Sequence, residues 1–252
     1  MCILFLAVDT HPQYPLIVCA NRDEFHHRPT APAHYWLPEQ HILAGQDLQA
    51  GGTWLGVNRQ GQFAALTNIR APEHQQDNMR SRGELVIHAL TAQGIDETFL
   101  QSNRDNYNPF NLVFEQQKKL FCYNSLTSET QMLTPGFHAI SNGALDDIWP
   151  KMAKGQQALE NLIAHANDID IAALLQLMKD DSQAQDSDLP ATGVSMEWER
   201  LLSSIYIKHS EYGTRSTSIV LQDKMGGITF VEARYDGKGR TLGTQRFDLA
   251  AP

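Results

Sequence analysis

The chain has 252 residues, 42% hydrophobic and 19% charged, a composition that supports a sizeable globular core. Its formal net charge of -9, with no basic stripe to offset it, argues against a broad nucleic-acid role, because phosphate contacts need clustered Lys and Arg. Apolar segments recur from Ile3 to Phe247 without a Pro/Gly/Ser-rich linker, so one domain over residues 1–252 is expected.

In chain order, Cys2–Val8 and Leu16–Ala20 read as strands covered on both faces, joined through the proline-bearing Asp9–Pro15. Ile3–Val8 is too short to cross a bilayer, and no positive residue precedes it as a signal peptide requires. A second hairpin is expected from Thr53–Val57 and Gln62–Thr67, turning at Asn58–Gly61. At its start, Gly51-Gly52 and Gly56 lack the context of a phosphate loop, and Trp54 reads as core. Periodicity predicts a helix over Arg82–Ala92, with Leu85, Ala89 and Ala92 on one face. Leu112–Glu115 and Leu120–Asn124 form a third hairpin around Gln116–Lys119. Two more helices follow, Lys151–Ala166 with Ala158, Leu162 and Ala166 in register, and Asp170–Lys179 with Ile171, Leu174, Leu175 and Met178. The acidic stretch Lys179–Gly193 reads as a mobile surface loop, and it and Ala71–Arg82 are candidate lids. A fourth hairpin joins Thr217–Leu221 to Ile228–Ala233 through Gly226-Gly227. Hairpins segregated from helices predict an α+β fold of packed antiparallel sheets.

The first hairpin brings the chain start to a polar cluster. A turn near Pro12–Gln13 pairs residues whose numbers sum to roughly 25, which sets Cys2 opposite Asp23 or its neighbours in Asn21-Arg22-Asp23-Glu24. Removal of Met1 would leave Cys2 with a free α-amine of pKa about 7.7–8.0, able to take the thiol proton. Asp23 would orient that ammonium, and Arg22 would bind a carboxylate or lower the thiol pKa. The three cysteines, Cys2, Cys19 and Cys122, include no CxxC pair. A disulfide framework and a metal site are therefore not expected, and a cytoplasmic location is.

Cys2, the run Cys19-Ala20-Asn21-Arg22-Asp23-Glu24 and the segment Tyr212-Gly213-Thr214-Arg215-Ser216-Thr217 resemble the NRDE family, which includes the eukaryotic transport-and-Golgi-organisation-2 proteins. Gly51–Gly56, Leu66-Thr67-Asn68 and Ser141-Asn142-Gly143 extend the resemblance over essentially the whole chain. It implies a four-layer αββα sandwich of the N-terminal nucleophile (Ntn) hydrolase type, and a role in intracellular haem trafficking. By similarity to the cysteine acylases of that superfamily, Cys2 matches the nucleophile and Asp23 the aspartate of the second strand. Asn68, Asn142 and Arg215 match oxyanion and active-site positions. One departure is Ala20, where those acylases carry arginine; here Arg22 stands nearby instead.

Two functions follow as expectations. The first is haem handling, with haem as cargo, and with donor and acceptor proteins as partners. Cys2 or a histidine would ligate the iron, Asn21 would lie in the site, and Arg22 and Arg215 would pair with propionates. The chain has ten histidines but no CxxCH motif, and His26-His27 read as solvated. The second is Cys2-dependent cleavage of a carbon–nitrogen bond in a small amide.

Overall fold

The computed structural model describes residues 2–36, 41–91, 93–164 and 166–251. The all-apolar run at the chain start becomes strand β1, Cys2–Val8, and every one of its residues is buried. Cys2, Leu4, Leu6 and Val8 pack into one core cluster, while Ile3, Phe5 and Ala7 pack into another. A strand that is apolar on both faces needs a layer on each side of its sheet.

Those layers are a second sheet and a helical layer. The first sheet has the order β10-β1-β2-β11-β12-β13, with β2 Leu16–Phe25, β10 Gly136–Ile140, β11 Tyr212–Gln222, β12 Ile228–Tyr235 and β13 Thr241–Leu249. The second runs β3 Thr30–Tyr35, β4 Ile42–Asp47, β5 Leu55–Asn58, β6 Phe63–Asn68, β7 Phe110–Gln116, β8 Lys119–Asn124 and β9 Glu129–Met132 in sequential order. Neighbouring strands are antiparallel throughout both sheets. The core between the sheets joins Leu4, Leu6 and Val18 of the first to Leu43, Val57 and Val113 of the second.

Helix α1, Gly83–Leu90, and helix α2, Glu97–Asn103, cover the outer face of the second sheet through Leu85, Val86, Leu90 and Leu100. Helices α3, Pro150–Ile163, and α4, Ile171–Leu177, cover the first through Met152, Leu159 and Leu174. A short α5, Met196–Leu201, lies before β11. The layer order is αββα, the four-layer antiparallel α+β sandwich expected of an Ntn-hydrolase-like fold.

The expected hairpins form, and the one between β7 and β8 turns tightly at Gln117 and Lys118, both at positive φ (52° and 61°). In the first hairpin Cys2 stands opposite Arg22, so paired numbers sum to one less than expected. The buried stripe of α3 differs from the expected one. Met152, Gly155, Leu159 and Ile163 face the sheet, whereas Leu162 is exposed and Ala158 only half-buried. Gly155 sets this face: a Cβ there would stand 2.0 Å from Phe5 Cζ, so glycine lets α3 lie on β1 without displacing that ring. The Ala92 expected on the face of α1 lies outside the described residues.

Among the described residues no helix is long and apolar enough to cross a membrane. The stretch Lys179–Gly193 is tied to the body. Tyr206 N donates to Asp180 O at 2.8 Å, and Thr192 donates from N and Oγ1 to Glu199 at 2.7 and 2.6 Å.

Candidate functional site

At the end of the sandwich where β1 begins, the sheets separate around an open cleft of about 320 Å³. Cys2, Arg22, Asp23 and Glu24 supply one wall and Asp47, Thr53, Trp54 and Asn68 the other. Met79–Arg82, the end of the expected lid Ala71–Arg82, closes a third side; the other expected lid, Lys179–Gly193, does not border the cleft. Gly52 fixes the joint between this loop and β5, since a Cβ there would meet Gly83 C at 2.6 Å.

Cys2 is 8% exposed, and burial pushes its thiol up from the ordinary value, with Asp23 acting in the same direction. Its carbonyl accepts from Ser141 Oγ at 3.3 Å. Asp23 lies on the neighbouring strand, where Thr214 Oγ1 donates to Oδ1 at 2.7 Å; burial pushes its carboxyl up as well. Thr214 in turn accepts from Ile207 N at 2.9 Å, which fixes the hydroxyl.

Arg22 stands opposite Cys2 in the register and faces the second sheet. Its guanidinium lies 4.5 Å from the Trp54 ring centre, and Nη2 donates to Asp47 Oδ2 at 3.1 Å. Trp54 belongs to the core and also lines the cleft: it is 8% exposed, and its ring is seated against Gly45. Asp47 also accepts from Arg28 Nε at 2.7 Å and from two backbone N–H groups, and these bonds hold its carboxyl below the usual range despite its partial burial. Arg80 pairs with Glu84 at 2.7 Å, and Arg82 Nη1 donates to Pro109 O at 3.0 Å. Burial lowers Arg82 to about 10.

Of the seven residues singled out from sequence, four meet in the cleft: Cys2, Arg22, Asp23 and Asn68. Asn21 does not. It sits on the helix side of β2, where Nδ2 donates to Met178 O and Ile205 O, both at 2.9 Å, and Oδ1 accepts from Thr217 at 2.6 Å. Asn142 stands behind the cleft and donates to Asn68 O at 2.9 Å, while its Oδ1 accepts from Arg70 at 3.2 Å. Arg215 sits in a bulge of β11 and donates to the carbonyls of Phe25, His26 and Arg28, clamping the turn after β2.

Sequence reasoning missed Arg28, Asp47, Arg80 and Arg82 in the cleft and Lys151 behind it. Lys151 Nζ donates to Leu202 O at 2.9 Å, and burial lowers it from 10.5 to about 8. The one signal was that Arg80 and Arg82 lie within Ala71–Arg82, the loop expected as a lid. Among the described residues, no histidine lines the cleft and no cluster of three His, Cys, Asp or Glu able to hold a metal ion occurs.

The family described as Transport and Golgi organisation 2 matches residues 1–237. The Transport and Golgi organization protein 2 homolog of Bos taurus is 34% identical over 266 residues, covering 96% of this chain and 95% of that protein. The Homo sapiens homolog is 35% identical, with 92% of each chain covered. Among solved structures, the Caenorhabditis elegans N-acylethanolamine-hydrolyzing acid amidase ortholog aligns at TM-score 0.49 and 10% identity, over 87% of this chain and 92% of that one. With its family model matched over nearly its full length and relatives a third identical from end to end, the chain belongs to the Transport and Golgi organisation 2 family.

Proposed function

We propose that the cleft performs Cys2-dependent cleavage of a carbon–nitrogen bond in a small amide. The observation that carries this reading is the meeting of Cys2, Asp23 and Asn68 at one open cleft. Burial keeps the Cys2 thiol protonated, so it needs a base. With Met1 removed, the α-amine of Cys2 is that base. The thiol proton passes to the amine while sulfur bonds to the amide carbon, and the oxyanion is held by donors from the cleft wall, Asn68 Nδ2 among them. The carbon–nitrogen bond then breaks, and the leaving nitrogen takes the proton from the ammonium. Water attacks the thioester carbon, regenerating the thiol and releasing the acid. Asp23 steadies the transient ammonium, and Asn142 positions Asn68 by binding its carbonyl.

The test is p-nitroaniline release from acetyl- and glutaryl-p-nitroanilide, with intact mass recording whether Met1 is present. Cys2→Ala is expected to abolish release. Turnover by protein that keeps Met1, or turnover indifferent to Cys2→Ala, overturns the mechanism.

A second reading, haem held in the same cleft and handed to an acceptor, is favoured by one feature: a sulfur beside guanidiniums in an open cavity. Cys2 would be the axial ligand and Arg22 a propionate partner. Arg215 is committed to backbone carbonyls and is not used in this reading. A Soret titration saturating near one haem per chain, weakened by Cys2→Ala, supports it; non-saturating binding identical in the variant rejects it.

A further inference from the structure

The donors of the cleft are less well satisfied than its acceptors. Each acid already has partners: Asp47 takes Arg22, Arg28 and two backbone N–H groups, and Glu24 accepts from Phe25 N at 2.8 Å. Asp23 takes Thr214, and Glu84 at the rim takes Arg80. The guanidinium of Arg22 is different. Its side chain is 5% exposed, yet Nη1 is buried with no hydrogen-bond partner. Such a donor is rare in a folded protein, because desolvating it without a partner is costly. One face of that guanidinium is covered by Trp54 and one edge by Asp47.

Arg82 faces the same cleft from the loop before α1. It donates to one neutral carbonyl, and among the described residues it has no ion pair. It lines the cleft together with Cys2 and Glu24. Two forked guanidiniums with free N–H groups, converging on one cavity, match the geometry of a carboxylate or phosphate.

We propose that Arg22 Nη1 and Arg82 form an anion subsite, so that the ligand of the Cys2 cleft carries a carboxylate or phosphate close to its reacting centre. This rests on the cleft being the ligand site, not on turnover there. For the hydrolytic reading the substrate class becomes an acidic amide, with the anion on Arg22 and Arg82 and the scissile carbonyl at Cys2. A neutral amide of the same size would bind more weakly, because the buried donor stays unpaired.

The experiment follows alkylation of Cys2 by iodoacetamide, read by mass, in the presence of glutarate, glutaramide or inorganic phosphate. Glutarate or phosphate is expected to slow alkylation at least about fivefold, as charge-assisted bonds at the cleft floor require, and the more effective of the two identifies the anion preferred. Neutral glutaramide is expected to protect little. Arg82→Gln and Arg22→Lys should each weaken protection, the lysine keeping charge but losing the fork. Arg246→Gln, on the distant β13, serves as control and should leave protection intact. Equal protection by glutaramide, or full protection in both cleft variants, overturns the subsite. The readout needs no hydrolysis, so its failure leaves the Cys2 mechanism standing, and failure of hydrolysis leaves the subsite standing.

Discussion

The two faces of β2 treat neighbouring polar residues in opposite ways. Asn21, on the helix side, spends both amide protons on buried carbonyls and its oxygen on Thr217, which also accepts from Tyr235 at 3.0 Å. Arg22, one residue on and facing the other sheet, keeps a buried nitrogen unpaired. Complete pairing marks a structural group, because nothing is left to offer a ligand. An unpaired donor at a cavity is the observation on which the proposed anion subsite rests. The contrast separates two residues that the sequence presents as one motif.

The sharpest way to break this comparison is at Asn21. Asn21→Leu strands two buried carbonyls and one hydroxyl, and at ~1–3 kcal/mol for each unsatisfied group the expected loss is about 3 kcal/mol or more. Urea denaturation measures it, and a loss below about 1 kcal/mol would mean the network is not holding α4 to the sheet.

Lys151, also on the helix side, predicts a pH dependence. Its folded pKa of about 8 lies below the ordinary 10.5, so between these values the unfolded chain binds more protons and stability rises with pH. At ~1.4 kcal/mol per unit the rise is about 3.5 kcal/mol at most, and Lys151→Met should remove it. Urea midpoints at pH 8 and pH 10.5 that move alike in both proteins would contradict the assignment.

The smallest expected effect is at Gly155. An alanine methyl would meet Phe5, and overpacking of this kind costs about 2 kcal/mol. Phe5→Leu should recover part of the thermal midpoint in Gly155→Ala.

Much of the fold was legible because its strong signals are local. The four hairpins and three helices carry apolar runs or stripes between turn residues. β3, β9 and β13 left little trace, because an edge or half-exposed strand need not alternate apolar and polar side chains; β13 is exposed over most of its length. The α3 face was misjudged because Gly155 contributes no hydrophobic signal, yet is the point of closest approach to Phe5.

In the site, the meeting of Cys2 with Arg22 and Asp23 followed from hairpin geometry alone. Arg82 and Asp47 were hidden because they arrive from the second sheet and the loop before α1, and sheet-on-sheet placement is not written in local pattern. The separation of Asn21 from Arg22 was hidden for a different reason: the expected register left a residue of slip, and one residue decides which face a side chain takes.

The most direct test is intact-mass analysis of Met1-processed protein mixed with glutaryl-p-nitroanilide, beside Cys2→Ala. A glutaryl thioester on Cys2 and p-nitroaniline release are expected, both absent in Cys2→Ala. Release at an unchanged rate from Cys2→Ala, with no adduct on the parent protein, would contradict the Cys2 mechanism.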